Sequence, residues 1–370
     1  MSGQPSDIDQ LVRKTFEVKE SFVLPDGEVE YQVAYGEGTK QKFALLKPQL
    51  ASAGYRPELT GSREECVLTL RRPREVAKRL PRLPVLLALF ALVSLVVFSL
   101  LQEIVYEQLV AGFPGYVVLF GFGGAIALMF GVHELAQRIA SGRRDGGRSN
   151  SYLIPGIPFL PPFIPTYGFV SSQREPALNR DRLFDSIVVG PIAILILTTI
   201  VYAIGDLTAV QSTIVFQGSA LANSTVSINP NAIQVAIDSV LGPFLPRIAT
   251  GYIPVSPLAD AATVGFVLVF IAFLPMATYD GGFLSALALG ERTAKVVTYL
   301  SVFALLVLDT PTYWAIAIIV LLLAGRPYQI RLLDEVSGLS RSRKWFLAAT
   351  IVIAFLCLPF PHNLGTLPLS

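Results

Sequence analysis

What most limits the fold of this chain is the recurrence of apolar runs close to the length of a bilayer crossing. A hydrocarbon core is about 30 Å thick and takes about 20 helical residues to cross. Runs of that order recur at 84–101, 114–136, 186–204, 258–277, 296–308, 312–325 and 345–360. With 52% hydrophobic and 15% charged residues, so much apolar surface must face lipid or other helices. The reading is an α-helical polytopic membrane protein of about seven transmembrane spans. The fifth and sixth runs are short, and Asp309, Thr310 and Pro311 between them could turn a hairpin.

Basic residues test this count independently, because Lys and Arg gather in the cytoplasmic loops of membrane proteins. The stretch ahead of the first run holds six, the 138–182 loop seven, the 292–295 loop two and the 326–344 loop five. The intervening loops and the tail hold only Arg247. This alternation predicts a cytoplasmic N-terminus and an external C-terminus. Net charge is only +2, and with the basic residues spread over alternate loops no nucleic-acid partner is expected.

Residues 1–80 are polar, so no cleavable signal peptide is expected. Residues 1–73 read as a small cytoplasmic α/β domain: Val29, Tyr31 and Val33 alternate as in a strand, 41–53 is helical, and 66–70 is β-rich. A basic linker, 74–83, leads to a membrane-embedded region, 84–361, and an external tail, 362–370. Cys66 and Cys357 are too far apart in character to suggest a disulfide and read as packing residues.

Two polar interruptions break the apolar runs. The second run ends in Gly131-Val132-His133-Glu134-Leu135-Ala136-Gln137-Arg138. Residues four apart share a helix face, so His133 and Gln137 point into one space with Glu134 beside them. This is the layout of an H-E-x-x-H zinc helix with Gln in the second ligand position. The fourth run ends in Leu274-Pro275-Met276-Ala277-Thr278-Tyr279-Asp280-Gly281-Gly282, where Asp280 offers a carboxylate and the glycines permit close backbone approach. Both runs cross in the same direction, so the two motifs meet at one face. Singly, a His-Glu pair at a helix end could be an interfacial cap, and Asp-Gly-Gly a turn.

With these motifs in order, the chain resembles the site-2 protease family of intramembrane zinc metalloproteases, in the branch with an N-terminal cytoplasmic domain found in archaea, cyanobacteria and plastids. The likeness extends to the Pro-rich 154–168 loop, to Asn179-Arg180-Asp181-Arg182-Leu183-Phe184-Asp185 with Gly190-Pro191, and to Leu339-Ser340-Arg341-Ser342-Arg343. The resemblance implies His133 and Asp280 as zinc ligands, Glu134 as the general base, and a cell, plastid or thylakoid membrane as the location. The Pro-rich loop, with Pro158, Pro162, Pro165 and Gly168, reads equally as a substrate or partner edge and as a rigid structural connector.

The pattern departs from the family at the second ligand, where Gln137 offers a neutral amide and so a weak metal donor. Ala272 stands where the family has asparagine, and Phe283 follows the glycines where relatives often have histidine. The other histidine, His362, falls at the outer face and cannot substitute. Asp185, a further carboxylate, opens the third run and is expected to satisfy helix-end backbone groups. These losses point to weak or absent zinc and to a non-catalytic pseudoprotease that binds membrane proteins or their transmembrane helices within the lipid bilayer. An active intramembrane zinc metalloendopeptidase is the alternative. A transporter is the third, although no inverted repeat relates the halves.

Overall fold

The computed structural model describes residues 5–25, 28–72, 82–144, 147, 149–156, 165–173, 175–213, 230–249, 252–277, 279–308, 311–324 and 330–359. It opens with helix α1 (Pro5–Thr15), strands β1 (Val18–Val23) and β2 (Val29–Val33), helix α2 (Thr39–Ser52), and strands β3 (Arg56–Gly61) and β4 (Cys66–Arg71). The strands form one antiparallel sheet in the order β1-β2-β4-β3. The alternation in β2 buries Tyr31 and Val33 against Phe43, Leu46 and Leu50 of α2 and Val12 of α1. Helix α1 and strands β1 and β3 are additions to the elements expected from the sequence.

That core is completed from far along the chain, by Leu178 and Leu333. Leu59 of β3 donates to the Leu333 carbonyl at 2.6 Å, and Glu335 donates to Leu59 at 3.0 Å. On its other side the same segment meets Ala177 and Leu178, through Leu333 N to Ala177 O at 2.8 Å and Asp334 N to Leu178 O at 2.9 Å. Two short stretches thus extend the sheet beyond β3, in parallel.

The remainder is mainly helical. Helix α3 (Arg82–Leu109) is followed by α4 (Gly115–Val118), one π-helical stretch (Leu119–Gly124) and α5 (Ala125–Arg144). The hairpin β5 (Ser149–Pro155) and β6 (Thr166–Gln173) precedes α6 (Arg180–Leu207). A short ladder, β7 (Val210–Gln211) with β8 (Pro254–Val255), flanks α7 (Ala232–Leu241). Then come α8 (Pro257–Phe273), α9 (Asp280–Leu289), α10 (Glu291–Val307), α11 (Pro311–Ala324) and α12 (Arg341–Leu356).

Among the described residues, three stretches are long and apolar enough to cross a membrane: Val85–Leu109, Gly115–Gly142 and Arg180–Leu207. The other apolar helices run from 10 to 17 residues, so helix length by itself supports three of the seven expected crossings. Helix α8 is buried continuously from Val264 to Phe273 and forms the centre of the bundle. Its expected extension to residue 277 is cut at Leu274, whose backbone is extended (φ −65°, ψ 134°). A residue before proline is driven out of the helical region by the ring that follows, and Pro275 does this here.

The 138–182 segment, expected as a loop, contains the β5–β6 hairpin. Ser94 of α3 holds the end at which the two strands connect, its hydroxyl shared between the carbonyls of Gly156 at 2.8 Å and Pro165 at 3.3 Å. Pro158 and Pro162 lie outside the described residues, as does His362.

Candidate functional site

Helix α5 carries His133 and Gln137 one turn apart, and both are buried, at 0% and 2% exposure. Asp280, 1% exposed, opens α9, and Gly281 and Gly282 make that position possible. A Cβ at Gly281 would lie 2.4 Å from the Leu274 carbonyl oxygen, and one at Gly282 would lie 2.0 Å from that of Met276. Only glycine lets the first turn of α9 fold back against the end of α8.

The structure brings three of the expected site residues together. His133 Nε2 lies 3.0 Å from Asp280 Oδ2. Gln137 Nε2 lies 3.2 Å from the same oxygen, 3.4 Å from the Ile187 carbonyl of α6 and 3.4 Å from His133 Nε2. A fourth residue was not legible as part of the site: Ser171 of β6 donates its hydroxyl to Asp280 Oδ1 at 2.6 Å. The His133 ring stacks on Phe169, also of β6, with centroids 4.0 Å apart and planes 14° from parallel. From α6, Gly190 presses on the cluster, and a Cβ there would stand 2.7 Å from His133 Nε2 and 2.8 Å from Gln137 Cγ.

Glu134 does not join this group. One residue along a helix turns a side chain about 100° away, and Glu134 is 27% exposed and paired with Arg138 at 2.7 Å. Gly168 lies on β6 with φ +95°, where a Cβ would meet the Tyr279 ring at 3.1 Å, and Tyr279 donates its hydroxyl to the Tyr167 carbonyl at 2.8 Å. Ala272 is buried in α8. The expectation for Asp185 needs correction. Asn179 caps α6 by accepting from Arg182 N at 3.0 Å, while Asp185 takes both arms of Arg343 at the start of α12, at 2.6 and 2.7 Å. Asp185 lies a turn inside the helix, where backbone N–H groups already have partners.

The donor set decides how well these residues suit a metal ion. Gln137 presents its NH₂ to Asp280 at 3.2 Å, and an amide NH₂ has no lone pair for a metal. Coordination of a metal through His133 Nε2 would put the ring proton on Nδ1, where metal-binding histidines normally donate to a second partner. His133 Nδ1 has no hydrogen-bond partner among the described residues. Among the described residues no three His, Cys, Asp or Glu side chains converge. As arranged, one imidazole, one carboxylate and one amide do not fit a zinc site of the usual three strong protein ligands.

Fold and site together define a mostly helical, membrane-type chain with a buried polar cluster of His133, Gln137, Asp280 and Ser171. Sequence comparison narrows this. The chain is 27% identical over 188 residues, 48% of its length, to "Probable zinc metallopeptidase EGY3, chloroplastic" of Arabidopsis thaliana. It is 27% identical over 204 residues, 53% of its length, to "Probable zinc metalloprotease EGY3, chloroplastic" of Oryza sativa subsp. indica. Both relatives are described by name as probable zinc metallopeptidases of the chloroplast. The matches span about a third of those relatives, 31% and 34%. No family model matches the chain, and no solved structure does.

Proposed function

We propose that the chain is a non-catalytic, site-2 protease-like membrane protein that binds membrane-protein partners or their transmembrane helices. The Gln137 amide carries this reading: it donates to Asp280 from the position where an active family member would present an imidazole lone pair. The pairing of Glu134 with Arg138 supports it, since a base needs to face the reacting water. The substitutions at Ala272 and Phe283 have the same sense, with both residues buried as apolar filling.

In this reading a cytoplasmic α/β domain over 1–73 precedes a seven-span core with an external C-terminus. The membrane is that of the cell or, following the chloroplastic relatives, of the plastid. The 154–168 segment, with Pro158, Pro162, Pro165 and Gly168, supplies the partner-binding edge, because backbone at membrane depth must be buried in protein or line a cavity.

The second reading, an active intramembrane zinc metalloendopeptidase, is favoured by the 3.0 Å approach of His133 and Asp280 and by the printed names of the relatives. Zinc content of the purified full chain, with cleavage of a helical membrane substrate, separates the two. The pseudoprotease holds substoichiometric zinc and cleaves nothing. One zinc per chain, with cleavage abolished by Glu134→Gln, would establish the protease instead.

A further inference from the structure

We propose that Ser171 and Gln137, both donating to Asp280, together with His133 Nε2 3.0 Å from it, form a metal-free clasp that fastens the β5–β6 hairpin over the site, with Ser171 as the positioning residue. The inference rests on the pseudoprotease reading and adds what the degenerate site does. A carboxylate offers about four acceptor positions; Oδ2 takes His133 and Gln137, and Oδ1 takes Ser171. All four side chains are buried, Ser171 at 7% exposure. Two donors and the His133 ring nitrogen thus converge on one carboxyl group and occupy its oxygens.

The contacts made by β6 follow the same plan. Ser171 grips Asp280, Phe169 covers the His133 ring, and the Tyr167 carbonyl accepts from Tyr279 next to Asp280. Gly168 lets the strand approach the Tyr279 ring. Gln173, at the end of the strand, exchanges two 2.8 Å bonds with the backbone of Arg331. The hairpin is thereby tied to α5 and α9 through the clasp and to residue 331 beyond it. An open protease site would need this strand free to admit a substrate; here the polar groups that would bind metal hold it shut.

The test is hydrogen exchange across 166–173 in the full-length chain in lipid nanodiscs, with and without a zinc chelator, for the natural protein, Ser171→Ala, Ser171→Thr and Asp280→Asn. A hydrogen bond to a buried charge corresponds to roughly 10–100-fold in an opening equilibrium. Ser171→Ala should therefore speed exchange in 166–173 by about that factor while β1 to β4 are unaffected. Ser171→Thr, which keeps the hydroxyl, should restore protection, and chelator should change nothing. If Asp280→Asn fails to fold, the serine pair still decides the matter. Unchanged exchange in Ser171→Ala with a metal-free natural chain would overturn the clasp and leave the pseudoprotease reading intact. Loss of protection on adding chelator, with stoichiometric zinc, would overturn both.

Discussion

Replacing Gln137 by histidine tests most directly the proposal that a second imidazole ligand is what a zinc site here lacks. The Gln137 amide nitrogen stands 3.2 Å from Asp280 Oδ2 and 3.4 Å from His133 Nε2, so an imidazole Nε2 there would be presented to both. Donor atoms about 2.0–2.2 Å from a tetrahedral zinc lie roughly 3.3 Å apart, close to these separations. The substitution would convert an amide donor into a lone pair and complete three protein ligands. Removing even an outer partner of a ligand costs about 10–100-fold in affinity, so adding a ligand should strengthen binding by at least that factor, about 1.4–2.8 kcal/mol. Competition against a chromophoric chelator, with metal analysis of the purified chain, measures it. Equal affinity in Gln137→His and the natural chain would refute the argument that the second ligand is what the site lacks. Cleavage need not return, because Ala272 would still lack the family's amide and Glu134 would remain paired with Arg138.

Gly190→Val should separate α5 from α6, because its Cβ alone would overlap His133 Nε2 at 2.7 Å; overpacking typically costs about 1–3 kcal/mol, readable as a lower thermal midpoint in detergent. Reporters fused at the two ends should read cytoplasmic before Met1 and external after Ser370, and a cytoplasmic C-terminal reporter would mean that one apolar run does not cross. Burial pushes the Cys66 thiol up to about 11. At pH 8 it is therefore almost entirely protonated, so in the folded chain alkylation of Cys66 should be slow, and rapid labelling by intact mass would contradict the packed core around it.

The meeting of His133, Gln137 and Asp280 was legible because a helix puts residues four apart on one face and the charge pattern set the direction of each apolar run. Ser171, Phe169 and Gly190 were not. Ser171 and Phe169 lie on a strand inside a segment read as a connector, although the run Thr166-Tyr167-Gly168-Phe169-Val170 has the β-branched and aromatic bias of a strand. Gly190 matters through what it lacks, which only the packing of α6 on α5 reveals. Glu134 could have been placed correctly, since Arg138 four residues on is a helical ion-pair spacing. The end of α8 at Phe273 was equally readable from Pro275. The closure of the amino-terminal sheet by residues 331–335 was not, because nothing local marks so short a segment as a strand.

That closure bears on how the chain is made. Strand β3 and its sheet are synthesised before the membrane-type helices, yet the neighbour that saturates the β3 edge comes after all three of the long apolar stretches. Throughout that interval the growing polypeptide presents an unsatisfied strand edge, the feature through which sheets recruit wrong partners. When Leu333 finally docks against Leu59, a segment made late closes a sheet made early.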